Sequence, residues 1–125
     1  MSPKNKIKLN LLRKQLDNID YQLLKVIKKR TVIVKKVLSL KGYKNEIIDN
    51  QLLNIVEKRT EVVKKVLSLK SFKKEIIDKK RISVVLKRIR KESLKKNIDP
   101  MITRRIWKNM IWSYIDFEKR NFKKK

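Results

Sequence analysis

Apolar residues fall at Leu9, Leu12, Leu16, Ile19, Leu23 and Val26, then at Ile33, Val37 and Leu40, in alternating steps of three and four. That spacing lays one apolar stripe along a helix. The place it leaves at position 30 is filled by a cation, Arg30. The pattern then recurs with Leu52, Ile55, Arg59, Val62, Val66 and Leu69, again with an arginine in an apolar place. Aligned without gaps, residues 22–49 and 51–78 are identical at 19 of 28 positions at a spacing of 29, which reads as a tandem duplication.

Punctuation between the stripes is sparse: one glycine and two prolines in 125 residues. Gly42 suits a left-handed helix end, and Lys41 before it suits the negative end of the helix dipole. Asp78 can open a helix carrying Ile82, Val85, Leu86 and Ile89, which ends near Asn97. Asp99 followed by Pro100 is a strong helix start. The last helix is expected to show Ile102, Ile106, Met110, Ser113 and Phe117 along one face. These signals predict helices near 7–41, 49–70, 78–96 and 100–121, no strands, and a single all-α domain over residues 1–125.

An arginine inside an apolar stripe is costly unless an anion or a carboxylate meets it. Lys41 follows Arg30 by 11 residues, so both project from nearly the same face, about 16 Å apart, and suit two ends of one extended anion. Arg13 precedes Arg30 by 17 residues, about 25 Å along the helix and about 100° round it. From one straight helix Arg13 and Arg30 cannot reach a common pocket. A contribution from Arg13 would go to a partner chain's pocket.

Composition narrows the chemistry. With no cysteine and no histidine, thiol nucleophiles, imidazole bases and the usual zinc and iron ligands are excluded, and neither metal nor cofactor is expected. No window approaches a membrane span and the start leads into no signal-peptide core, so a cytoplasmic location without membrane partners is expected. The net charge of +25 would suit a nucleic-acid partner. Its lysines are spread along the whole chain, however, without a cluster alternating with aromatics, which favours a compositional origin. Trp107, Trp112 and Tyr114 read as core and rim residues of the last helix.

The order Leu12-Arg13, Leu16-Asp17, Ile19-Asp20, Leu23-Leu24, Arg30 and Lys41, then Asp78 and Arg81, resembles the all-helical chorismate mutases. Their long first helix carries that order, and an Asp and Arg open their second helix. The Ile-Asp-Pro before the last helix and the Arg-Arg-Ile-Trp inside it are similar to the final helix of those enzymes. Lysine matches weigh little in a chain with 37 basic residues, but arginines at three family spacings carry weight. Removing one repeat would leave the usual length of the domain.

The resemblance implies an intertwined helical dimer with one extra helix from the duplication. It would isomerise the dianion chorismate to prephenate, towards phenylalanine and tyrosine, without metal or cofactor. By that likeness Arg30 clamps one carboxylate, Arg13 from the partner chain holds the other, and Lys41 donates to the ether oxygen. Asp78 and Arg81 orient the ring and its hydroxyl. Glu118 takes the place of a Gln on the ether oxygen if Trp107 fixes the register, which is preferred; a shift of one residue would bring Ser113 onto the family's serine and put Phe117 at the Gln position. A glutamate there donates only when protonated, so activity should peak below neutrality. Ile82 replaces the family's Glu after Arg81. The duplication offers a second pair, Arg59 with Lys70, and the pair sharing a continuous helix with Arg13, Arg30 with Lys41, is preferred. Other readings are an isochorismate pyruvate lyase with a similar pocket, an inactive relative, and a basic helical nucleic-acid-binding protein.

Overall fold

The structure is a computed structural model that describes residues 1–37 and 46–123. Its elements are α1 (Pro3–Val37), α2 (Glu46–Leu69), a single 3-10 turn (Lys73–Glu75), α3 (Lys79–Lys95) and α4 (Pro100–Asn121), with no strand among the described residues. Lys41 and Gly42, and with them the expected first helix end, lie outside the described residues.

The 35 residues of α1 run for about 52 Å. No shorter helix covers that length with its own stripe, and α2 folds back along it. Arg30 pairs with Asp49 near the turn and Arg59 pairs with Asp20 further down, so one number rises as the other falls and the two helices are antiparallel. Between them Leu16, Ile19, Leu23 and Val26 of α1 meet Ile55, Val62, Val63 and Val66 of α2 in the core. The second of the two similar stretches lies mostly in α2, packed on α1.

Local chemistry ends the later helices where the sequence signals lie. Asp78 caps α3 by accepting the N–H of Arg81 at 3.0 Å, and Asp99 caps α4 by accepting that of Met101 at 2.9 Å, with Pro100 in the first turn. At its other end α3 closes on Asn97 at φ 55°, with Ile98 N–H donating to the Ser93 carbonyl at 2.9 Å and Asn97 N–H to that of Leu94. This is a Schellman end built on asparagine, the residue that best tolerates the left-handed region after glycine.

In α4 the buried face differs from the expected one. Thr103, Trp107, Ile115 and Glu118 are buried, whereas Ile102 and Ser113 are exposed. The helix is rotated by about one residue, roughly 100°. The physical reason is Trp107, which is fully enclosed: its ring buries more apolar surface than any aliphatic side chain on the alternative face. That rotation decides which side chains of α4 face the other helices. Among the described residues no helix is long and apolar enough to cross a membrane.

Candidate functional site

One cavity of about 120 Å³ is lined by residues of α1, α2, α3 and α4. From α1 come Arg13 and Leu16; from α2, Arg59, Val63 and Val66; from the following segment, Lys70, Ile76 and Asp78. α3 adds Arg81, Ile82 and Val85, and α4 adds Tyr114 and Glu118 among others. Its charged lining is thus four cations and two carboxylates among apolar walls, and with Asp17 and Asp20 behind Arg81 and Arg59 the acids match the lining cations in number.

Each cation is held by an acid. Arg59 donates through Nε to Asp20 Oδ1 at 2.9 Å, and both side chains are buried. That bond leaves the two terminal guanidinium nitrogens outside the pair, beside the cavity. The Arg59 guanidinium also lies 4.9 Å from the centre of the Tyr114 ring, whose hydroxyl is fixed by Thr60 and the Val56 carbonyl. Arg88 stands behind Asp20, bonded to Asp17 at 2.7 Å and 3.6 Å from Asp20 Oδ2. Asp17 in turn holds Arg81 at 2.7 Å. The α1 acids Asp17 and Asp20 therefore fix three arginines without lining the cavity themselves.

The other two cations are paired across the cavity's own lining. Arg13 donates to Asp78 at 2.9 Å, and Lys70 donates to Glu118 at 2.8 Å in a buried pair. Asp78 serves two partners at once. The N–H of Arg81 holds its carboxyl below the ordinary 3.8 against the opposing effect of burial, and the Arg13 guanidinium adds to the downward pull. Burial instead pushes Glu118 above its ordinary 4.5, outweighing the Lys70 ammonium. Burial therefore favours the protonated, donating form of Glu118 more than in an exposed glutamate.

The sequence candidates divide between two places. Arg13, Asp78, Arg81 and Glu118 come together in the cavity with Arg59 and Lys70, the second-copy pair. Arg30 lies outside it, half-exposed and paired with the exposed Asp49 at 3.1 Å, along a larger and mainly apolar groove with Leu23, Ile27 and Leu52. Lys41 falls outside the described residues. Ser113 faces solvent, and the cavity wall one turn before Glu118 is formed by Tyr114. Arg13 lines the cavity of its own chain, because the fold-back of α2 brings Arg59 to it as no straight helix could.

Sequence reasoning missed Tyr114 and the supporting roles of Asp20 and Arg88. The signal for Tyr114 was its spacing of four from Glu118, which sets both on one face. For Asp20 no local signal exists, since its partner lies 39 residues away.

The fold is an all-helical bundle with a cavity lined by Arg, Lys and carboxylic acids. Residues 44–119 match the family described as Chorismate mutase type II, and the chain belongs to that family. The matched stretch contains Arg59, Lys70, Asp78, Arg81 and Glu118 and excludes Arg13 and Arg30. No curated protein and no solved structure matches the chain.

Proposed function

We propose that this chain catalyses the Claisen rearrangement of chorismate to prephenate, in the cavity built on the second repeat copy. The observation that carries the reading is the lining itself: Arg13, Arg59, Lys70 and Arg81 converge on one cavity, where a dianion competes for them with the acids that hold them. The family gives that dianion its identity as chorismate.

In the rearrangement one ether C–O bond breaks as a C–C bond forms, with no net transfer of protons or electrons. The barrier falls when the substrate is held with its reacting carbons in contact and when donors face the oxygen that gains negative charge. Arg59 is suited to one carboxylate, because its Nε is tied to Asp20 and its terminal nitrogens are left for a bidentate contact. Arg13, released from Asp78 on binding, takes the other. Lys70 and protonated Glu118 donate to the ether oxygen, where their separation from water strengthens both bonds. Asp78 and Arg81 hold the ring and its hydroxyl, and Ile82 supplies an apolar wall.

Purified protein supplied with chorismate should form prephenate, and supplied with isochorismate should release no pyruvate. Pyruvate release from isochorismate without prephenate formation would assign the lyase reaction instead. Absence of both would remove the enzymatic reading.

A further inference from the structure

The ion pairs of the α1–α2 hairpin are related to each other by the repeat. Moving both partners of the Arg59–Asp20 pair by 29 positions, Arg59 back to Arg30 and Asp20 forward to Asp49, gives the second observed pair, Arg30–Asp49. Residue and partner exchange roles between the two helices. That is the hallmark of a two-fold interface, where residue i meets j and j meets i.

Two grooves on the hairpin show the same relation. One is lined by residues that fall into couples 29 apart, among them Gln22 with Gln51, Val26 with Ile55 and Lys29 with Lys58. The other, which includes residues of α4, couples Leu23 with Leu52 and Ile27 with Val56. A pseudo-two-fold axis therefore runs through the middle of the hairpin.

We infer that the α1–α2 hairpin is a dimer interface folded into one chain, and that this protein is a self-sufficient monomer with one complete site. Arg13 and Arg59 belong to opposite sides of that interface, and the fold-back supplies both from a single chain. The apolar stripe of α1, which a second copy would otherwise have to cover, is already buried against α2. A net charge of +25 further opposes the approach of a second copy. Only one of the two ends related by the axis is complete. The position 29 after Arg13 is Gly42, so the Arg30 end lacks a second arginine, and the position 29 before Arg81 is Leu52.

The chain's mass in solution tests this without reference to activity. Light scattering and sedimentation equilibrium over a wide range of concentration should give 15.1 kDa throughout. A stable species of twice that mass would overturn the inference, whether or not prephenate is formed. The second arm rests on the enzymatic reading and separates sites made by one chain from sites shared between two. Arg13→Ala and Lys70→Ala chains, each checked for helicity by circular dichroism, are co-refolded in equal amounts and assayed with chorismate. Turnover should stay at the mean of the two variants measured alone. Recovery to about a quarter of wild-type turnover, the share of intact sites that random two-fold pairing of the chains produces, would show that Arg13 serves a partner.

Discussion

The two ends of the α1–α2 hairpin carry the same arginine and the same aspartate, yet they differ in what surrounds them. At one end the Arg59–Asp20 pair is buried, with side chains 8% and 1% exposed; at the other the Arg30–Asp49 pair is 47% and 51% exposed. Near-identical local sequence thus produces a buried ion pair beside a cavity in one place and a surface ion pair in the other. The difference comes from what packs beside each end. Arg59 lines a cavity with Arg81 of α3 and with Tyr114 and Glu118 of α4, whereas Arg30 borders a larger groove whose other walls are almost wholly apolar.

Replacing the two arginines in turn should break the comparison most sharply. Arg59→Ala should lower kcat/KM for chorismate on the order of 10²–10³-fold, as loss of one preorganised donor does, while Arg30→Ala should leave it within about twofold. A large loss with Arg30→Ala and little with Arg59→Ala would move the site to the first copy.

Stability should follow the same division. Asp20→Ala leaves Arg59 charged and unpaired in the core and should cost ~3–5 kcal/mol in denaturant unfolding, where Asp49→Ala should cost ~0–1 kcal/mol. Equal effects would mean that the two pairs are energetically alike despite their burial.

The pH dependence sharpens the role of Glu118. Its carboxyl is raised above 4.5 by burial, so the protonated donor is present at low pH and is lost as pH rises through the raised value. Activity should decline over that window, and Glu118→Gln should remove the decline, because an amide donates at every pH. The same shift lowers stability as pH rises from 4.5 upwards, since the folded state holds the proton more tightly than the unfolded chain. A decline in kcat/KM that persists unchanged in Glu118→Gln would assign it to another group.

The smallest effect concerns Asp78. Its carboxyl is held below 3.8, so its contribution is present above that pH and is lost only as pH falls through the lowered value. Asp78→Ala removes the cap of α3 and should cost ~1 kcal/mol in thermal unfolding. Asp78→Asn, which can still accept from the Arg81 N–H, should recover most of it.

Much of this architecture was legible because it is local. The 3.6-residue spacing of apolar side chains, Asp78 and Asp99 as caps, and Pro100 in a first turn act over a few residues, and all four helices form where those signals fall. The cationic candidates were legible for a similar reason: an arginine in an apolar stripe stands out against its neighbours. The face of α4 was not, because whether Trp107 or the Ile102 side turns inward depends on the space the other helices leave.

The sequence by itself determined the helices, the capped starts of α3 and α4, and the set of cations near the cavity. Which arginine became buried was decided only by tertiary structure. Arg30 and Arg59 have nearly the same neighbours along the chain, and nothing within a few turns of either one distinguishes a buried guanidinium from an exposed one. Burial is set by groups far away in sequence, by Asp20 on the antiparallel helix and by the closure of α3 and α4 over one end of the hairpin. A charge becomes useful for binding where water is excluded and its partner is fixed, and both conditions exist only once the chain has folded back on itself.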